Sequence, residues 1–156
     1  MRINMIADKI LGNMETWEGK EQVVKVEFTW FELEKKRISK TADDGESIGV
    51  CIQEPLKDKD VIGKKDNTIY VVELQLEHLI KIRVHSMKEM GRLGFELGNR
   101  HLSLQIEEDT VKVPFDAPTF EYLKKIGFEA EEVNEKFTDF IECKAHGHSH
   151  GAHSHE

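Results

Sequence analysis

His78-Leu-Ile-Lys-Ile-Arg-Val-His-Ser-Met-Lys-Glu-Met-Gly-Arg-Leu-Gly-Phe-Glu-Leu-Gly-Asn-Arg-His101 changes its apolar period partway along. As far as Val84 it reads as a strand, rich in β-branched side chains. Ser86 then suits a helix N-cap, with Glu89 three residues on to close a capping box. On a helical wheel Met87, Met90, Leu93 and Leu97 share one face, and Lys88, Glu89, Arg92 and Glu96 the opposite one. Gly91, Gly94 and Gly98 form a stripe beside the apolar face. An interior glycine costs a helix about 1 kcal/mol against alanine. Gly91 and Gly94 therefore predict a close backbone approach, and Gly98 a left-handed C-cap.

Beyond this segment Leu102, Leu104 and Ile106 alternate, as do Val111, Val113 and Phe115, with Glu107–Thr110 as the turn between two strands. Pro118 fits the first turn of a second helix, with Phe120, Tyr122, Leu123 and Ile126 along one side and Gly127 as its stop. A last strand is expected over about Lys136–Glu142. Strand, helix, strand, strand, helix, strand is the order of a ferredoxin-like split βαβ arrangement. Before residue 76 the chain reads mostly as β, with strands over Ile3–Leu11, Gln22–Thr29, Ser47–Gln53 and Thr68–Leu74. Asp44-Gly45 is a hairpin-type turn, and Gly63 followed by Asp66-Asn67 marks a further break. Thr29-Trp-Phe-Glu32 has the capping-box pattern and predicts a short helix over Trp30–Lys36. The fold class expected is α+β. A β-rich domain covers 1–75, a ferredoxin-like domain 76–143, and a flexible tail 144–156.

A chain of 156 residues has room for one ordinary domain or two small ones. Its 38% hydrophobic and 33% charged residues suit a soluble protein. A net charge of −8 argues against a nucleic-acid partner, which needs a clustered Lys/Arg face. Asp8 and Lys9 interrupt the apolar start expected of a secretion signal. No stretch approaches the roughly 18 apolar residues that cross a bilayer. Cys51 and Cys143 lie far apart and form no Cys-x-x-Cys pair. A cytoplasmic protein with no membrane association is the expectation.

The chemistry concentrates at the end of the chain. Five of the eight histidines, His146, His148, His150, His153 and His155, fall within the last eleven residues, spaced by Gly, Ser and Ala. The segment has no large apolar side chain with which to build a core. It offers borderline-soft imidazole nitrogens to divalent metal, and its irregular spacing differs from the uniform run of a purification tag. Cys143, three residues before His146, is a possible thiolate companion, though a free cysteine is more often a small buried hydrophobe, as expected for Cys51. His78 and His85 flank a strand and read as surface residues.

Glu-Met-Gly-Arg-Leu-Gly-Phe-Glu-Leu-Gly-Asn-Arg-His, residues 89–101, resembles the signature of the UreE family of urease accessory proteins, which are nickel metallochaperones. The resemblance extends to the β-rich first half and the histidine-rich tail. It implies that His101 binds nickel at the interface of a homodimer, with the nickel-handling GTPase of the urease assembly set as direct partner. It also likens the first domain to a peptide-binding module. Some relatives carry an internal His-x-His pair; Val111-Lys112-Val113 stands where such a pair would fall, so that site is not carried over. Asn99, tolerant of left-handed backbone, and Arg100, able to anchor a carboxylate, are expected to support the motif.

The residues make that geometry sensible. One imidazole holds a metal poorly, whereas a two-fold axis beside His101 presents two from one sequence position. Tail histidines then complete the shell as flexible donors at high local concentration. The expected cargo is Ni(II), with Zn(II) and Cu(II) accepted by the same ligands and nickel resting on the resemblance. Dimers pairing into tetramers around an ion remain open at this point. Two other functions compete: a metal-storage or buffering protein working through its tail, and a small metal-dependent hydrolase. The hydrolase needs about three fixed ligands and a general base, and the sequence has no His-x-x-x-His on a helix to supply them. The chain is therefore not expected to be an enzyme.

Overall fold

The computed structural model describes residues 2–142, in a mixed α+β chain. They fall into two compact units, the first ending at Leu76 and the second starting at Glu77.

The first unit contains β1 (Met5–Ala7), β2 (Gly12–Asn13), β3 (Gln22–Phe28), β4 (Arg37–Thr41), β5 (Ser47–Cys51), β6 (Asp60–Lys65) and β7 (Thr68–Leu74). These form two sheets, β1-β5-β4 and β2-β6-β7-β3. Alternation decides what is buried. Val26 and Phe28 of β3, Ile48 and Val50 of β5, and Val72 and Leu74 of β7 fill a common core, while Lys25 and Glu27 point to solvent. Several boundaries differ from those the sequence suggests. The helix expected over Trp30–Lys36 is a single 3-10 turn over Trp30–Glu32. Its capping pattern is made, since Glu32 Oε1 accepts from the Thr29 amide at 2.9 Å. However, Leu33 is drawn into the core, and from Arg37 the chain is committed to pairing with β5. Ile3–Leu11 contributes only Met5–Ala7 as strand, and Gly63 lies inside β6 at a register shift rather than at a break. Cys51, expected in the core, is exposed at the end of β5.

The second unit runs β8 (Glu77–Arg83), α1 (Met87–Asn99), β9 (Gln105–Ile106), β10 (Thr110–Pro114), α2 (Ala117–Lys125) and β11 (Glu129–Glu135). Its sheet is antiparallel with order β11-β8-β10-β9. Ile80, Ile82, Val111 and Val113 cluster with Leu93 and Leu97 of α1 and Leu123 of α2. Each such side chain stabilises the fold by about 1.5–3 kcal/mol on burial. The last strand is Glu129–Glu135, not Lys136–Glu142 as expected. Residues after Glu135 are instead held as a loop, with the Thr138 amide donating to Gln105 Oε1 at 3.0 Å and Phe137 fully buried.

Lys112 lies on the sheet face opposite Val111 and Val113. It is buried and pairs with both Glu107 and Glu135. Burial pulls its pKa down, but the hydrogen bonds it donates to the two carboxylates outweigh burial and raise it. Hydrogen bonds from Lys112 in turn hold Glu107 and Glu135 below the usual carboxylate range. Carboxyls with depressed folded values stabilise above their unfolded pKa, and that contribution disappears as pH falls through the folded value. Both carboxylates are open to solvent by more than a third, so the expected cost of Lys112→Met near pH 7 is only about 1–2 kcal/mol. Urea unfolding should show this deficit at neutral pH and a shrinking difference from wild type below about pH 4.

Candidate metal centre

α1 begins as its sequence dictates, with the Ser86 hydroxyl accepting from the Glu89 amide at 3.1 Å. Leu93 and Leu97 are fully buried against the sheet, with Met90 packed beside them. Met87, expected on that face, is instead 92% exposed, and Phe95 is 67% exposed. Apart from chain neighbours and the backbone of α1 itself, no described atom lies within 4 Å of where a Cβ would stand on Gly91, Gly94 or Gly98. The close approach expected at these glycines is therefore not made by any described part of the chain.

The helix does not stop at Gly98. It continues to Asn99, with Arg100 as C-cap, and His101 takes the left-handed conformation at φ 55°. Three backbone bonds close the end. The Arg100 amide reaches Leu97 O at 3.1 Å, His101 reaches Gly98 O at 3.0 Å, and Leu102 reaches Leu97 O at 3.3 Å. The last two are the paired bonds of a Schellman motif, with its usual apolar contact supplied by Leu97 and Leu102 in the core cluster. His101 thus occupies the position most often given to glycine. The left-handed form costs an L-residue about 1–2 kcal/mol, although histidine is among the residues enriched there. Such strain gathers at functional sites, where surrounding contacts over-determine it. The imidazole ends on an exposed residue at the surface.

Asn99, read as tolerant of the left-handed form, is helical. Arg100, read as able to anchor a carboxylate, is placed against a hydroxyl and a ring among the described residues. Its Nη1 donates to Thr119 Oγ1 at 3.2 Å, and its guanidinium lies 4.6 Å from the Tyr122 ring centroid. The Thr119 hydroxyl donates to Asp116 Oδ2 at 2.6 Å, and the Tyr122 hydroxyl donates to Glu96 Oε2 at 3.0 Å. That bond to Glu96 is the main reason the Tyr122 phenol is held above its ordinary pKa. Sequence reasoning did not single out Thr119 or Tyr122 as neighbours of the motif. The available signal was Asp116-Ala-Pro-Thr119, a helix-capping pattern that also presents a hydroxyl.

The remaining histidines are placed elsewhere. His78 Nε2 is 3.1 Å from Glu132 Oε2, with its ring stacked on Phe115 at 4.1 Å, and His85 Nε2 is 3.5 Å from Glu129 Oε2. Both are exposed, as their flanking positions suggest. Among the described residues no group of three or more His, Cys, Asp or Glu side chains converges to hold a metal. Cys143 and the tail histidines His146, His148, His150, His153 and His155 lie outside the described residues. The described chain nevertheless ends close to the motif. Leu104, three residues after His101, exchanges backbone bonds of 3.1 and 2.7 Å with Ile141, one residue before that end.

Substituting the strained position gives a measurable sign. In urea titrations of metal-free protein, His101→Gly should be more stable than His101→Ala by about 1 kcal/mol, because only glycine relieves the left-handed penalty. Equal stabilities would remove the claim of strain.

Two family models cover nearly the whole chain: the N-terminal domain of the UreE urease accessory protein over residues 7–75 and its C-terminal domain over residues 77–156. A urease accessory protein UreE from Bifidobacterium longum subsp. infantis is 48% identical over 91% of this chain, which spans 65% of that relative's length. UreE proteins from Halalkalibacterium halodurans and Acetivibrio thermocellus are 31% and 32% identical, over 94% and 97% of this chain and 99% and 100% of their own.

Proposed function

Because the chain belongs to the UreE urease accessory protein family, we propose that it is a homodimeric carrier that captures Ni(II) and delivers it for urease metallocentre assembly. Nickel is its cargo, and it performs no turnover of its own. The observation that carries this reading is His101, exposed at a strained helix end beside an open helix face. Met87, Gly91, Gly94 and Gly98 follow one another at intervals of three or four along that face, and Phe95 lies four residues after Gly91 and three before Gly98. Large apolar side chains so exposed, next to glycines that admit close packing, suit burial by a second copy. A two-fold axis there brings two His101 side chains towards one ion, and a self-complementary face needs no second patch.

The tail supplies the remaining donors. An extended chain spans at most about 3.3–3.6 Å per residue, so the four residues from Glu142 to His146 cover roughly 14 Å. Each later histidine reaches further, and the starting point is the segment paired with Leu104. His146, His148, His150, His153 and His155 of either copy can thus meet the ion held by paired His101. Imidazole ligates only when neutral, so acidification weakens loading. A cytoplasmic location, handover to the GTPase of the urease assembly set, and pairing of dimers around an ion belong to the same reading. Zn(II) and Cu(II) compete for the same nitrogens.

Calorimetric titration with Ni(II) tests the assignment. His101→Ala should abolish the tightest site, and deletion of residues 145–156 should remove the weaker ions but leave one site per two chains. Loss of all tight binding on deletion would favour a storage protein working through its tail. In sedimentation experiments Phe95→Glu should shift the metal-free protein to monomer, because a buried carboxylate at a two-fold contact faces its own copy; an unchanged dimer would place the interface elsewhere.

A further inference from the structure

We propose that Arg100 is a positioning residue for the metal: by clasping α2, it fixes the left-handed turn from which His101 addresses the ion. The proposal rests on the nickel-carrier reading and asks how one exposed imidazole is aimed.

Arg100 immediately precedes His101, and its own backbone (φ −90°, ψ 0°) is the C-cap of α1. Any rotation of that residue swings the histidine after it. The guanidinium is spent on two contacts to α2: Nη1 on Thr119 Oγ1 at 3.2 Å, and the ring face of Tyr122 at 4.6 Å. Neither partner is loose. Thr119 is 1% exposed, and its hydroxyl passes the interaction on to Asp116 Oδ2, the N-cap carboxylate that also accepts the Thr119 amide at 3.2 Å. Tyr122 is held by its bond to Glu96 at 3.0 Å. Glu96 belongs to α1, so the contacts form a closed circuit from α1 to α2 and back, one residue before the metal-binding histidine.

Arginine suits this task better than lysine. A planar guanidinium can stack on a ring while one edge donates a hydrogen bond, whereas an ammonium is a point charge on a flexible stem. The outer contacts of a ligand generally determine how well it is aimed, and their removal lowers metal affinity by about 10–100-fold. Here the contact acts through the backbone turn rather than through the imidazole itself.

The test uses the full chain with Ni(II) alone. Competition against a chelator reads the tightest site, X-ray absorption at one ion per two chains counts imidazole ligands, and melting is followed in parallel. Arg100→Ala should weaken the tightest site by about tenfold or more, lower the imidazole count, and leave the weaker ions of the tail unchanged. Arg100→Lys should recover part of the loss. Tyr122→Phe, which keeps the ring but loses the bond to Glu96, should bind more weakly than wild type and more tightly than Tyr122→Leu. An Arg100→Ala protein that melts lower but keeps the affinity and the imidazole count would overturn the clasp, because a scaffold role alone predicts that pattern. Should Arg100→Ala not fold, Thr119→Val and Tyr122→Leu carry the same comparison. Loss of the site in His101→Ala with retention in the Arg100 variants overturns the clasp alone. Retention in His101→Ala overturns the nickel reading beneath it.

Discussion

At the end of α1 the chain must leave the helix within three residues, and the Leu102 amide reaching back to the Leu97 carbonyl makes that exit. Leu97 and Leu102 are both tied to the core of the second unit, so the two ends of the turn are fixed by packing rather than by the turn residues. What lies between must then accept a left-handed backbone, and the sequence places His101 there instead of glycine. The residue in this position is exposed. The cost is local and modest, about 1–2 kcal/mol, and the well-packed cluster beneath it offsets that amount easily.

The surroundings of the turn are consistent with a site completed from outside one folded unit. The outer face of α1 combines bare glycines with Met87 and Phe95, a surface that water solvates poorly and that a second copy would cover. Close by, the Leu104–Ile141 bridge returns the end of the described chain to the neighbourhood of His101. In the carrier reading these features divide the labour. The folded unit would offer one imidazole at a turn whose two ends are fixed by packing, and the tail histidines would offer further donors.

Much of the second unit was legible because its signals are local. The Ser86 cap, the spacing of Leu93 and Leu97, and the alternation around Val111 and Val113 each specify an element without reference to the rest of the chain. The final strand was not legible, because Glu-Ala-Glu-Glu-Val-Asn-Glu is a poor strand sequence on propensity. It forms at the sheet edge by pairing with β8, where outward charges are an asset that discourages further pairing. The helix end was misread for a related reason. Gly98 looked like the natural stop, but the position of the stop is set by where Leu97 and Leu102 must be buried, and that is tertiary information. His101 was singled out through its motif, whereas Arg100, Thr119 and Tyr122 come together only when α1 and α2 pack.

Intact-protein mass spectrometry under native conditions, on protein loaded with Ni(II) and then exposed to a mild chelator, bears most directly on the shared-ion account. The account predicts a species of two chains retaining one ion after the others are stripped, absent when His101 is replaced by alanine. Single chains that each keep their own ion, or a retained ion indifferent to His101, would contradict it.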